Sequence, residues 1–139
     1  MILRSAESKD NIAVVLEGLR LFEAFDFDRM ARLWHPDVRI TGPEGWPERG
    51  PFEGRNAVLG QFRRLASDWG KQRISDVDVV ADHAGWVVLT FRWEVQGGRS
   101  GVATATQIAA AFRVKDGRIS EGHFRWKREE ALEAAGLPE

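Results

Sequence analysis

The chain of 139 residues contains no cysteine and no tyrosine, and it has no long apolar run. The absence of cysteine excludes disulfides, thiolate metal sites and a cysteine nucleophile. The absence of tyrosine removes the phenol that many enzymes use as a proton donor. No segment approaches the roughly 18 apolar residues of a membrane-spanning helix, and the N-terminus lacks the apolar core of a secretory signal. We therefore expect a cytoplasmic protein that does not associate with membranes.

The charges of the chain are almost balanced, with 20 basic against 21 acidic residues and a net charge of −1. Binding to nucleic acid requires an excess of Lys and Arg that neutralises phosphates, so nucleic acid is a poor candidate partner. The aromatic residues are 6 Trp and 8 Phe, which indicates a bulky apolar interior. A chain of this length supports one hydrophobic core, so we expect residues 1–139 to form a single domain.

The spacing of apolar residues predicts helices in the first half of the chain. Residues 9–25 carry apolar side chains three or four positions apart, and Asp26 can cap a short second helix over 27–34. A third helix is expected to begin at its cap Asn56 and to end before Gly70. Between the second and third helices, residues 37–41 alternate like a strand.

The second half of the chain has the alternation of strands. Apolar residues recur at every second position through much of 73–81, 86–95 and 102–114, and the Asp-Gly pair at 116–117 is typical of a hairpin turn. The returning strand covers 119–127, and a final short helix follows it. Helices followed by antiparallel strands indicate an α+β protein. We expect the helices to pack on one face of a curved, mostly antiparallel sheet, so that the sheet wraps around the N-terminal helices and encloses a cone.

The predicted last strand carries the strongest group of ionisable residues. Four of them alternate with apolar residues or glycine and project from one face: Glu121, His123, Arg125 and Lys127. On a concave face such groups are costly unless they are hydrated, paired or used. His123 is then the best general acid or base, Glu121 and Arg125 orient it or hold an anionic group, and Lys127 binds substrate. The alternative is a solvated outer face, with Phe124 and Trp126 turned into the core.

Three further residues are candidates for the wall of a ligand site. Trp34 and His35 end the predicted second helix, and Trp46 lies in a loop rich in Pro and Gly without a periodic partner. His35 either contacts a ligand or caps the last carbonyls of that helix. The tryptophans either line a pocket or pack in the core. The three histidines lack the close spacing of metal ligands, so we expect no metal.

The order of the elements resembles that of a known family. The segments HPDVRITGP, GPFEGRNAV, KDGRI and EALEAAGL occur in the order and spacing of the SnoaL-like group of the nuclear transport factor 2-like superfamily. This resemblance covers essentially the whole chain. It implies a conical α+β barrel that opens into an apolar pocket, often with dimerisation through the outer face of the sheet. Members include ketosteroid isomerase, polyketide cyclases, scytalone dehydratase, limonene epoxide hydrolase and noncatalytic binding proteins.

Several catalytic groups of these relatives are missing at the matching positions. By resemblance, Gly42 stands where isomerase-like enzymes keep a carboxylate base, and Ala110 where they keep a protonated acid. Lys127 stands at about the position of the aspartate that SnoaL-like cyclases use. The tyrosines on which the isomerase, the dehydratase and the epoxide hydrolase rely have no counterpart here.

Two functions therefore remain open. The first is a cofactor-free isomerase, cyclase or dehydratase in which His123 acts as general acid or base on a small hydrophobic substrate. The second is a noncatalytic ligand-binding or dimer-forming protein that keeps the cone and lacks the acid/base residues. For both functions we expect a homodimer and no cofactor.

Overall fold

The computed structural model of the chain describes residues 6–46, 49–96 and 103–138. Their elements, in chain order, are α1 Ala6–Glu23, α2 Phe27–Leu33, β1 Trp34–Thr41, β2 Phe52–Glu53, α3 Arg55–Trp69, β3 Lys71–His83, β4 Trp86–Gln96, β5 Ala103–Lys115, β6 Arg118–Arg125 and α4 Arg128–Ala134. The predicted α+β class is confirmed. Within these residues, every helix is too short or too polar to cross a membrane.

The six strands form one curved sheet in the order β2-β1-β6-β5-β4-β3. Neighbouring strands are antiparallel except for β1 and β6, which run parallel and place Thr41 beside His123. The predicted hairpin between β5 and β6 is confirmed, because Asp116 and Gly117 adopt φ angles of 52° and 75°. The mostly antiparallel sheet therefore has its last strand in the middle, next to its first long strand.

One face of the sheet packs against α1, α2 and α3, and we call it the inner face. Alternate residues of β4 and β5, among them Leu89, Phe91 and Ala110, are buried there. Aromatic rings from the helices complete this core, and the rings of Phe22 and Phe62 meet edge to face with their centroids 5.1 Å apart. This layer of sheet and helices encloses the interior of the cone.

The opposite face of the sheet, here the outer face, carries a smaller core under α4. Val88, Ala109 and Ala111 pack against Ala131 and Leu132 of that helix. These strand residues alternate with the inner-face residues, so they point away from the cone. The alanines of β5 keep this surface low, which lets α4 lie against the sheet.

Several element boundaries differ from the predicted ones. β1 begins at Trp34, so Trp34 and His35 belong to a strand and not to the end of α2. Pairing of Trp34 with Ile119 of β6 favours the strand, and a local pattern cannot show a partner so distant. The predicted cap Asn56 is wrong, because α3 begins at Arg55 and follows a glycine cap with a φ of 91°. The predicted cap of α2 is confirmed, since Asp26 accepts a hydrogen bond from a backbone N–H of the first turn.

Candidate functional site

Aromatic rings line the space between the inner face and the helices. One cavity has a wall of seven apolar residues, including Trp46, Trp93 and Phe124. A second cavity has a wall that includes Trp34, Ile40 and Phe124. No ionisable side chain borders either of these two cavities. They therefore favour apolar molecules and offer no partner for a charge.

Trp34 and Trp46, the two tryptophans expected in an apolar wall, both border these cavities. Trp34 is buried and lies against the ring of Phe62. Trp46 is half-buried and stacks on Trp93, with ring centroids 5.4 Å apart and planes inclined by 27°. The indole N–H of Trp93 donates to Oε1 of Gln72 at 2.8 Å, and this hydrogen bond fixes the Trp93 ring of the stack. Their contact with a substrate stays a prediction.

Gly42 and Trp46 fit closely together in the loop after β1. A Cβ atom added to Gly42 would lie 3.1 Å from Cδ1 and 3.2 Å from Cγ of Trp46. Carbon atoms in comfortable contact are about 3.5–4.0 Å apart, so a larger side chain at position 42 would push the indole. The Gly42 N–H donates to the carbonyl of Arg49 at 2.7 Å, and the Trp126 indole N–H donates to the carbonyl of Glu44 at 2.7 Å. The indole therefore occupies the space that a side chain at position 42 would take.

β6 separates most of the predicted site residues from the cavities. Phe124 points to the inner face and borders both cavities. The neighbouring positions Glu121, His123 and Arg125 consequently point to the outer face. Of the two arrangements that the alternation leaves open, the structure has the one in which these residues lie on the outer face and Phe124 lies in the core. Trp126 departs from that alternative, because it lies at the surface.

The outer-face residues form a continuous chain of hydrogen bonds. Arg125 Nη1 donates to Thr41 Oγ1 at 2.9 Å, and Thr41 Oγ1 lies 2.7 Å from His123 Nδ1. On the far side of the ring, His123 Nε2 lies 3.1 Å from Glu121 Oε1. Arg113 ends the chain with an ion pair to Glu121 at 3.5 Å. We call these five residues the outer-face relay.

His123 is the buried centre of the outer-face relay, with only 5% of its surface exposed. The ring of Trp86 stacks on it with the centroids 5.9 Å apart. Burial is the main cause that lowers the pKa of His123; Glu121 opposes this effect and nearby arginines add to it. A neutral His123 ring with its proton on Nε2 accepts a hydrogen bond from the Thr41 hydroxyl at Nδ1 and donates one from Nε2 to Glu121. This tautomer gives every group a suitable partner, because the Thr41 oxygen in turn accepts a hydrogen bond from Arg125.

Arg125, like His123, has a shifted pKa. Burial is the main cause that lowers its pKa, and the positive charge of Arg49 acts in the same direction. Glu130 and Glu133 of α4 oppose the shift. One guanidinium nitrogen donates both to Thr41 and to the carbonyl of Phe124, so these hydrogen bonds tie β6 to β1.

The other two predicted binding residues lie away from the described cavities. His35 lies in β1 and accepts the backbone N–H of Asp37 at its Nδ1 at 3.0 Å, so the helix-capping alternative is wrong, and its contact with a ligand stays a prediction. Lys127 is exposed and precedes α4, and its backbone N–H donates to Glu130 Oε1 at 3.1 Å. Neither side chain borders either cavity. Across the described ranges, no group of three or more His, Asp or Glu side chains is arranged to hold a metal ion.

Sequence reasoning missed Thr41 and Trp86, the residues that bracket His123. Thr41 ends a predicted strand, and only its pairing with β6 reveals that it faces an imidazole. Trp86 reaches the ring across Ala111, whose small side chain leaves the space. Ala110, by contrast, is fully buried on the inner face, so one of the positions matched to a catalytic group of relatives does face the cone.

A curved sheet that encloses an aromatic cavity against three helices is the architecture of nuclear transport factor 2-like proteins. The chain belongs to the family of SnoaL-like domains, whose model matches residues 15–122. No curated protein matches the chain in sequence. The resemblance drawn from the sequence segments is thereby confirmed at the level of family and fold.

Solved structures show the same fold at low sequence identity. A nuclear transport factor 2-like protein of unknown function from Burkholderia pseudomallei is 20% identical, with a TM-score of 0.75 over 89% of this chain and 95% of its own. A candidate polyketide cyclase from Xanthomonas campestris is 19% identical, with a TM-score of 0.77 over 90% and 96%. TerC, co-crystallised with polyporic acid, is 19% identical, with a TM-score of 0.74 over 89% and 98%.

Proposed function

We propose that the protein binds a small, uncharged, apolar molecule in the aromatic interior of its cone and does not catalyse a reaction on it. The observation that carries this proposal is the wall of the two described cavities, which apolar residues form throughout. Each Å² of apolar ligand surface removed from water there contributes about 25 cal/mol. A charged ligand would lose its hydration and find no counter-charge.

The absence of acid/base groups from this wall supports binding without catalysis. A general acid or base must lie within hydrogen-bond reach of the atom that it protonates or deprotonates. Gly42 and Ala110, matched to catalytic positions of relatives, have no such group. His123 is on the opposite face of the sheet from Phe124, so the backbone of β6 separates it from a molecule in the cavity.

The comparisons are compatible with a small-molecule ligand. The chain belongs to the SnoaL-like domain family, and TerC, of the same fold, was crystallised with polyporic acid. The identity of 19% to TerC transfers the fold and not the ligand, so the ligand class here rests on the wall residues of this chain.

Titration with naphthalene, followed by NMR of labelled methyl groups, tests this proposal. Ile108 borders the first cavity and Val88 lies on the outer face, so their methyl groups report on the two sides separately. We expect a saturable shift of the Ile108 signal, an unchanged Val88 signal and at least tenfold weaker binding of naphthalene-2-carboxylate. The His123→Gln variant should bind naphthalene as the wild type does. The absence of a saturable Ile108 shift would contradict the proposal.

A second candidate function is acid/base catalysis by His123 at the outer face, on a small hydrophobic substrate. The outer-face relay favours it, because an imidazole between a hydroxyl and a carboxylate is an arrangement that activates nucleophiles. Diethyl pyrocarbonate, which acylates accessible neutral imidazoles, distinguishes the candidates. Binding without catalysis predicts that the buried His123 reacts more slowly than the exposed His83; a faster reaction of His123 would favour catalysis.

The homodimer and the cytoplasmic location also stay predictions. Light scattering of the purified protein should give twice the chain mass of 15.7 kDa if the dimer forms. A mass of one chain at micromolar concentration would contradict it.

A further inference from the structure

The stack of Trp46 on Trp93 leaves no layer for a third ring. The ring centroids are 5.4 Å apart and the planes are inclined by 27°. Two aromatic rings with another between them need a separation of about 7 Å, twice the distance between carbon atoms in contact. An aromatic ligand therefore reaches the face of Trp93 only if the indole of Trp46 leaves it.

Trp46 differs from the other six residues of this cavity wall in its origin. Phe22 and Phe62 come from helices, and the remaining four come from strands β4, β5 and β6. Trp46 belongs to no helix or strand and lies between β1 and β2 in the chain. Loop segments hold their side chains less firmly than helices and strands do, so Trp46 is the member of the wall that yields first.

The neighbours of Trp46 define the size of the slot that its indole fills. Trp93 lies against one side of the ring, Trp126 is 6.1 Å away and inclined by 50°, and Gly42 leaves room beside it. An indole thus fills a slot with aromatic neighbours and no charged side chain in the cavity wall. A molecule of similar outline makes the same contacts when the indole has moved out.

We infer that Trp46 is a displaceable stopper of the first cavity and that the ligand is a planar, uncharged, two-ring aromatic that takes the place of its indole on Trp93. This inference rests on the proposed binding function and specifies both its ligand and its entry step. The affinity of the wild type for such a ligand includes the free energy of moving the indole out. Removal of the stopper should therefore strengthen binding.

Indole itself is the matched probe, and Trp46→Ala is the direct variant. We expect this variant to bind indole about tenfold more tightly than the wild type, because the lost aromatic stack and contact area no longer compete. The methyl signal of Ile108 reports the binding. The control Trp86→Ala removes a tryptophan from the outer face and should leave the affinity for indole unchanged.

Gly42→Ala tests the stopper without removing any ring, and it serves if Trp46→Ala fails to fold. Its Cβ would lie 3.1 Å from the indole, so Trp46 must shift by a few tenths of an ångström, which should loosen its stack on Trp93 and tighten indole binding roughly threefold. If naphthalene shifts Ile108 in the wild type but neither variant binds indole more tightly, the stopper is refuted and the binding function stands. If no protein shows a saturable Ile108 shift with either probe, both are refuted.

Discussion

The two faces of β6 differ in what they could do to a small molecule. On the inner face, Phe124 meets the rings of Phe22, Phe62 and Phe112 with centroids 5.6–6.5 Å apart. On the outer face, the adjacent residue His123 is held by a hydroxyl and a carboxylate. The apolar cavity and the ionisable cluster thus lie back to back, one residue apart along the chain.

This separation shows how a fold can keep a pocket while its acid/base residues stand elsewhere. The inner positions matched to catalytic groups of relatives are Gly42 and Ala110, and the ring of Trp46 takes the space beside Gly42. The partly buried polar network of the outer face connects β1 to β6, which gives it a structural role. The apolar cavity and the ionisable side chains of β6 therefore lie on different faces of the same sheet.

Truncation on the inner face should give the largest effect on stability. Phe124→Ala removes a ring that touches three others. We expect a loss of about 3 kcal/mol in the free energy of unfolding, the low end of the range for Phe→Ala, because Phe124 is only partly buried. Lys127→Ala, an exposed control just beyond the strand, should change it by less than about 0.5 kcal/mol. Urea denaturation measures both. Equal losses would remove the energetic difference between the wall and the surface.

Removal of one polar group from the outer face and one from the inner side should change the free energy of unfolding in opposite directions. Thr41→Val leaves His123 and Arg125 without their shared partner, and we expect a loss of about 2 kcal/mol. Gln61 of α3, on the inner side, is 2% exposed and its Oε1 has no hydrogen-bond partner among the described residues. Gln61→Leu should therefore stabilise the protein by about 1 kcal/mol. The same denaturation assay checks the pair, and a gain from Thr41→Val would contradict the relay.

The lowered pKa of His123 predicts a modest dependence of stability on pH. Below about pH 6.5, the unfolded chain binds a proton on this residue that the folded protein resists. The free energy of unfolding should thus be unaffected by His123 above pH 6.5 and should fall as the pH decreases below it. For one histidine, the loss at pH 5.5 is at most about 1.4 kcal/mol. His123→Gln should reduce the fall between pH 7.5 and 5.5, whereas an unchanged fall would assign it to other groups.

Local patterns predicted the elements of this protein better than they predicted which way its strands face. The spacing of apolar residues placed the long helices, and the Asp-Gly pair placed the turn before β6. Alternation showed that Glu121, His123 and Arg125 share one face, but both faces were open. The choice follows from pairing of Ile40 with Gly122, 82 positions apart, which only the assembled sheet contains.

The same limit applied to the candidate site. Trp34 and Trp46 were expected in an apolar wall because large rings need a core or a ligand, and both border cavities. Thr41 was not expected, because its role depends on a partner in β6. His35 was misplaced because a helix end and a strand start look alike before Pro36, whose ring restricts the preceding residue.

Nuclear Overhauser effects between bound naphthalene and the rings of Phe124 and His123 test the central claim most directly. The two residues are neighbours in the chain and lie on opposite faces of the sheet. We predict contacts from the ligand protons to the Phe124 ring and none to the His123 ring. Contacts to the His123 ring without contacts to Phe124 would place the ligand on the outer face and contradict binding in the cone.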